Sequence, residues 1–183
     1  MKSHPANASF QVVLRRPADM QGEDTWAFVI LPKSESDKFP RRGRTSVEAT
    51  INCHSFQAVL EPDGQLSHWL KIPGALLENA AVEPGSLITL ELEPLANELE
   101  PLLPPEFGAA LASSPQAKAI WDSTTTIARI DWVHWIISAK QEKTRLGRIT
   151  SACDMLASGK NRVCCFDPSG YYSKAFHAPK EAV

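Results

Sequence analysis

Over the first 95 or so residues, apolar and polar positions alternate in short stretches that end at turn residues. This alternation predicts short strands. The continuous apolar run 26–31 indicates a strand that is buried on both faces, and the polar stretch 33–44 is interpreted as a long surface loop. Because barrel closure removes exposed edge strands, six strands at this spacing favour a closed or split β-barrel. The first predicted strand begins at residue 10 and ends at Pro17, the other five cover 26–31, 45–51, 56–60, 65–72 and 87–92, and one short helix is predicted at 75–81.

After Pro105 the apolar positions recur with a helical period. The pattern predicts helices over 106–112, 115–122, 127–140 and 142–158. Between the two halves, the segment 83–106 holds six glutamates and five prolines but no Lys or Arg, which is typical of a linker. We therefore expect an α+β protein: a barrel domain at 1–95, an acidic proline-rich linker with a short helix at 96–112, and a helical domain with a C-terminal tail at 113–183.

Composition restricts the class of protein. The 183 residues carry a formal net charge of −2, and 43% of them are hydrophobic, which is typical of a globular chain. No apolar run approaches the roughly 20 residues of a membrane span, and no secretory signal follows the start, so a cytoplasmic protein is expected. The chain has no Cys-x-x-Cys pair. The adjacent Cys164 and Cys165 suit a soft metal or a vicinal disulfide in principle, but neighbours on a strand point to opposite faces, so plain reduced thiols are favoured.

Catalytic motifs were sought in the sequence. The five histidines are scattered without metal-ligand spacing, and neither a Gly-x-Ser-x-Gly turn nor a glycine-rich phosphate loop occurs. We therefore predict no catalytic residue, no metal ligand and no cofactor, and the protein is more readily interpreted as a binding protein than as an enzyme. An enzyme with a small pocket at the barrel–helix junction remains an alternative, with pocket-lining candidates His68, Trp135, Cys165 and Tyr171. The sequence leaves open whether His68 faces the barrel interior or solvent.

Positive charge is concentrated in the second half of the chain. Residues 1–100 have a net charge of −5 and residues 101–183 a net charge of +3. Arg145 and Arg148 are three residues apart on one helix, a spacing that suits a clamp for phosphate or carboxylate. The candidate ligand-binding residues are Lys140, Arg145, Arg148 and Arg162. The alternative is that these side chains form internal salt bridges only.

A motif in the helical half resembles a known family. It comprises Trp135-Ile136, Ala139-Lys140, Thr144-Arg145 and Arg148-Ile149, followed by Met155-Leu156-Ala157 and Gly159-Lys160. These residues resemble the YdeI/OmpD-associated, or bacteriocin-protection, helical domain. The front half is similar to the small β-barrel domain of unknown function that often precedes it, through 26–32, 47–56, 60–64 and 84–86. The resemblance covers about 8–95 and 105–176. It implies a split barrel of AbrB-like double-split shape, and it brings no established reaction.

These observations give three functional hypotheses. The first is a cytoplasmic, non-enzymatic binding protein that recognises a peptide, a partner protein or a small anion. The second is a nucleic-acid-binding protein that uses the barrel, the basic helical region and the loop residues Arg41, Arg42 and Arg44. Base recognition requires exposed aromatic side chains, and the tryptophans stand at core-like spacings, so nucleic acid is not favoured. The third is the junction enzyme described above.

Overall fold

A computed structural model of the chain describes residues 7–20, 22 and 25–183. Within these ranges it contains six strands and six helices. The strands are β1 (Ala8–Val13), β2 (Trp26–Ile30), β3 (Thr45–Ile51), β4 (His54–Pro62), β5 (His68–Pro73) and β6 (Leu87–Pro94). The helices are α1 (Lys33–Ser36), α2 (Gly74–Ala80), α3 (Pro105–Ala112), α4 (Pro115–Ser123), α5 (Thr126–Ile137) and α6 (Glu142–Ala157). The predicted α+β class is confirmed.

The strands form one antiparallel sheet in the order β1-β6-β3-β4-β5-β2. The turn between β3 and β4 consists of Asn52 and Cys53, both with positive φ, as the tight turns that match strand twist require. The sheet curls far enough for Arg15, just after β1, to exchange two backbone hydrogen bonds of 2.8 and 2.9 Å with Phe28 in β2. Six strands and a barrel-like curl were both predicted from the alternating pattern.

One face of this sheet encloses an apolar core. The alternating residues that point inward are fully or almost fully buried in most of the strands, and partly buried at 10, 12, 56 and 58, as expected for a sheet with one covered face. They contact α2 through Leu77 and Ala80. The core residues contributed by the strands include Ala27, Val29, Val47, Ala49, Ile51, Leu60, Leu70, Ile72, Ile88, Leu90 and Leu92.

The helices α3–α6 build a second core around Trp132, which is fully buried. Its indole nitrogen donates a 3.2 Å hydrogen bond to the carbonyl of Asn161, so the polar atom of this large side chain is satisfied. Ser114 caps α4 and Thr125 caps α5, each hydroxyl accepting a backbone N–H.

The chain divides into two compact units. The barrel unit consists of the chain up to Asn97 together with the tail Asp167–Val183, and the helical unit is Glu98–Phe166. The sequence analysis grouped the tail with the helices. The tail lies on the barrel unit because its backbone pairs with the segment after β1: the amide of Ala18 donates to the carbonyl of Lys180, and the amide of Ala182 to that of Arg16, both at 2.8 Å.

Several predicted element boundaries differ from the structure; the helix predicted over 127–140, for example, ends at Ile137. The predicted loop 33–44 begins with the short helix α1, closed by backbone bonds to Pro32. The strand predicted from residue 65 begins at His68 instead. The carboxylate of Asp63 accepts hydrogen bonds from the amides of Gln65 and Ser67 at 2.7 and 2.9 Å, which holds that stretch in a turn.

Gly147 lies inside α6, where glycine lowers helix stability, and a Cβ atom at this position would meet nothing within 4 Å. Replacing Gly147 with alanine is therefore expected to raise the free energy of unfolding by about 0.5–1 kcal/mol, measured by urea denaturation. Gly159 is the matched control: its φ of +91° follows the end of the same helix, so G159A is expected to destabilise. A lower free energy of unfolding in G147A would contradict this prediction, because it would mean that the added methyl group clashes with a neighbouring atom.

Candidate functional site

The two arginines of the predicted anion clamp, both on α6, contact other residues of the helical unit. Arg145 forms a 3.0 Å salt bridge with Glu106 in α3. Arg148 donates to the carbonyl of Trp135 at 2.5 Å and to the hydroxyl of Ser138 at 3.0 Å. These two acceptors lie at the C-terminal end of α5, where a positive charge also interacts favourably with the helix dipole. Both arginines therefore connect helices, which is the structural alternative that the sequence analysis left open.

The other two basic candidates, Lys140 and Arg162, are exposed, and no described acidic side chain forms a salt bridge with either. Lys140 precedes α6 and Arg162 follows it. A helix of 16 residues is about 24 Å long, so these two cations stand near opposite ends of α6. The structure therefore does not bring the four predicted basic residues together around one small ligand.

The four predicted pocket-lining residues fall into different units. His68 and Tyr171 belong to the barrel unit, and Trp135 and Cys165 belong to the helical unit. Tyr171 is half-buried beneath Lys174, whose ammonium lies 4.5 Å from the ring centroid. Trp135 is half-buried between Trp132 and the guanidinium of Arg148. Cys165 is exposed.

His68 lies in the barrel core and is fully buried. Its Nε2 is 3.0 Å from the carbonyl of Gly43, which can only accept, so Nε2 carries the hydrogen. In the neutral ring Nδ1 then accepts from the hydroxyl of Ser36 at 2.7 Å. Burial lowers the pKa of His68, the effect outweighing the hydrogen bond to Gly43, which raises it. This neutral, doubly bonded histidine connects α1 to the loop before β3.

Two of the three arginines proposed for nucleic-acid contact, Arg42 and Arg44, bind other residues of the barrel unit. Arg42 pairs with Asp37 and donates to the carbonyl of Leu66 at 2.7 Å. Arg44 forms a 2.8 Å salt bridge with Glu61, and both of those side chains are mostly buried. These contacts hold the loop 37–44 against the barrel, so they give no specific support to nucleic-acid recognition.

A cavity of about 460 Å³ lies on the outer face of the barrel unit, over the pair β2–β5. It is mainly apolar and aromatic, with cationic groups at its edge, as pockets for small organic ligands usually are. Its lining consists of Pro17, Ala18, Asp19, Met20, Trp26, Trp69, Lys71, His177, Pro179 and Lys180.

The strand period explains why the two tryptophans face this cavity. In β5, Leu70 and Ile72 point into the core, so Trp69 and Lys71 between them point to the other face. In β2 the same rule sends Trp26 and Phe28 outward, away from the core residues on either side. Phe28 is nevertheless fully buried, with its ring centroid 6.3 Å from that of Trp26 and 6.3 Å from that of Trp69. The floor of the cavity is thus formed by Trp26 and Trp69, and the buried ring of Phe28 contacts both of them.

The tail and the segment after β1 form the opposite wall. Besides their backbone pairing, a 2.6 Å salt bridge joins Arg15 to Glu181. These contacts place Pro17 and Ala18 beside Pro179 and Lys180, above the aromatic floor. Because the two segments are about 160 residues apart, local sequence patterns cannot reveal this wall. The sequence does show that Trp26 and Trp69 alternate with core residues on their strands, and this alternation places both tryptophans on the outer face of the sheet.

The cavity carries more positive than negative charge. Lys71 lies over the face of Trp26, with its Nζ 4.7 Å from the ring centroid, a cation–π contact. Lys180 is exposed at the rim, and among the lining residues that the structure describes Asp19 is the one with an acidic side chain. An aromatic floor with two lysines and one carboxylate favours a flat apolar ligand that bears a negative group.

No group of three or more His, Cys, Asp or Glu side chains at the positions that the structure describes is placed to hold a metal ion. Among the helices described, none has the length and apolar character needed to cross a membrane.

Comparison with known families agrees with the two-part architecture. Residues 10–92 match the model of a domain of unknown function, DUF1905, and residues 100–159 match the model described as bacteriocin-protection, YdeI or OmpD-associated. The first match lies within the barrel unit and the second within the helical unit. No curated protein matches the chain. The resemblance predicted from the sequence is confirmed: a match to the DUF1905 model is followed along the chain by a match to the YdeI or OmpD-associated model.

Proposed function

We propose that this protein binds a small organic anion with a flat apolar body, in the cavity over β2 and β5. One observation carries the proposal: Trp26 and Trp69 form an aromatic floor within a cavity whose edge holds Lys71 and Lys180. The volume of about 460 Å³ lies within the range of small-molecule sites. Of the ligands considered from the sequence, a small anion fits this cavity better than it fits the basic residues of α6.

The aromatic rings supply most of the expected affinity. A flat ligand that stacks on Trp69 removes apolar area from water, which contributes about 25 cal/mol per Å². The lysines supply the charge preference. Lys180 is exposed and follows Pro179 on the tail, so its ammonium can reach an anionic group at the rim, where the interaction is partly screened by water.

The test uses the full chain and three naphthalene probes of matched shape: 1-naphthoate, neutral 1-naphthamide and cationic 1-naphthylmethylammonium. Binding is measured from the indole N–H resonances of Trp26 and Trp69, assigned with W26F and W69F. We expect naphthoate to bind most tightly and to shift both resonances. We expect K180Q to weaken naphthoate binding roughly 3–10-fold, the effect of an exposed charge pair of about 1 kcal/mol, and to leave naphthamide binding unchanged.

Lys174 provides the matched control, since it lies on the same tail but over Tyr171 and outside the cavity lining. K174Q is expected to bind naphthoate like the unmodified protein. Equal losses in K174Q and K180Q would contradict the proposal, as would equal affinity for the three probes or unchanged Trp26 and Trp69 resonances at saturation.

A further inference from the structure

Cys164 and Cys165 form a close pair of thiols on the surface of the helical unit. Their sulfur atoms are 3.2 Å apart, and both side chains are exposed. The prediction that neighbouring cysteines point to opposite faces assumed a strand. The segment is instead a turn beyond α6, with Cys165 at a φ of +58°, and this backbone places both thiols on the same side.

We propose that this pair is a redox modification site, which a peroxide oxidises reversibly to a vicinal disulfide. One thiol attacks a peroxide oxygen, the O–O bond breaks, and a sulfenic acid and one water (or alcohol) form. The second thiol attacks the sulfenic sulfur, the S–S bond forms, and the hydroxyl leaves as water. In total the two thiols lose two electrons and two protons, and hydrogen peroxide is reduced to two waters.

Three features of the pair support this step. The exposed position gives peroxide access to both sulfurs, and the short separation lets the second thiol intercept the sulfenic acid before further oxidation. The turn lies outside every described helix and strand, so closing the ring breaks no ladder of hydrogen bonds.

Ring strain makes the disulfide reversible. Consecutive Cα atoms are ~3.8 Å apart across a trans peptide bond, whereas disulfides usually join Cα atoms at least about 4.4 Å apart. Strained and exposed disulfides are the ones that thiols reduce readily. A vicinal bond at this position therefore suits a regulatory modification and not a permanent structural link.

The other two cysteines offer a matched background. Cys53 is exposed in the turn between β3 and β4, and Cys153 is half-buried in α6. A C53S/C153S double variant of the full chain retains only the vicinal pair. After treatment with hydrogen peroxide, we expect this protein to lose two hydrogens by intact mass, to lose both thiols available to alkylation, and to recover them with dithiothreitol. Phenylarsine oxide, which bridges two free thiols, is expected to bind only the reduced form.

Single-thiol variants on the same background test whether the two sulfurs act together. With C164S or C165S added, we expect a sulfenic acid that dimedone traps, followed by irreversible higher oxidation and no loss of two hydrogens. Circular dichroism establishes that each variant is folded. The proposal is overturned if the pair is oxidised to sulfinic or sulfonic acid as readily as the single thiols, if it forms disulfides only between molecules, or if dithiothreitol does not restore it.

Discussion

Replacing Gly64 with alanine is expected to lower the free energy of unfolding of the barrel unit by about 3 kcal/mol, or roughly 6–12 °C in Tm. Gly64 has a φ of +75°, which favours glycine, and a Cβ atom would lie 2.1 Å from the carbonyl oxygen of Phe176. Backbone atoms on both sides of this contact leave no flexible side chain to move aside. The tail must therefore shift away from the turn before β5, or the turn must change.

A substitution at Gly85 separates the cost of a positive φ from the cost of the steric clash with Phe176. Gly85 also has a positive φ, +95°, but a Cβ atom there would meet nothing within 4 Å. G85A is thus expected to cost about 1 kcal/mol, the conformational part alone. Differential scanning calorimetry of both variants, with limited proteolysis of the tail, makes the comparison. Equal losses in G64A and G85A would show that the tail does not press against Gly64.

The second large effect is expected at His68. Replacing it with leucine leaves the hydroxyl of Ser36 and the carbonyl of Gly43 without the hydrogen bonds that His68 provides, in a buried position. The carbonyl of Gly43 keeps a 3.2 Å hydrogen bond from the hydroxyl of Thr45, whereas the hydroxyl of Ser36 loses its partner. A buried unsatisfied group costs about 1–3 kcal/mol, so we expect H68L to lower the free energy of unfolding by about 2–3 kcal/mol. In H68Q the amide can still donate toward Gly43, so a smaller loss is expected. Urea denaturation at pH 7.5 measures both.

The same histidine predicts a pH dependence. Burial lowers its pKa in the folded protein from the ordinary value of 6.5. Above pH 6.5 the ring is neutral in both the folded and unfolded states, so His68 does not make the free energy of unfolding depend on pH in this range. As the pH falls below 6.5, the unfolded chain binds a proton that the folded protein does not, and stability falls by up to about 1.4 kcal/mol per pH unit until the folded pKa is reached.

H68Q is expected to lack this part of the pH dependence, and H54Q, which alters an exposed histidine, is expected to retain it. The measurement is the free energy of unfolding between pH 7.5 and pH 5 for the three proteins. If H68Q follows the same pH profile as the unmodified chain, then another group is responsible and the neutral state of His68 is not important for stability.

The elements of this fold were predictable because their signals are local. Alternation in β3 and β6, and the cap at Ser114, each depend on residues within one or two turns of chain. The sequence also predicts the direction in which His68 points. Residues two apart on a strand share a face, so His68 lies on the same face as the core residues Leu70 and Ile72. The position of His68 in the core was thus available from the sequence, although it was left open.

The candidate site was not predictable for a different reason. The wall opposite the aromatic floor is made of two segments about 160 residues apart, and only the folded barrel brings Pro17 beside Lys180. For Arg145 and Arg148 the sequence predicted a binding site that the contacts in the structure do not support. Their spacing suits an anion clamp, but partners on α3 and α5 take both side chains, and sequence spacing cannot show which partner a charge finds. The close approach of Cys164 and Cys165 depends on a turn conformation that has no strong sequence signal.

The barrel unit is discontinuous along the chain, since the helical unit is inserted before its last segment. During synthesis the six strands emerge first, yet the salt bridge from Arg15 waits for Glu181 to leave the ribosome. Until the tail has been synthesised, the wall opposite the aromatic floor is incomplete. The cavity is therefore completed only after the whole helical unit has been synthesised, and a barrel unit without its tail is expected to expose more of Trp26 and Trp69 to solvent and to aggregate more readily.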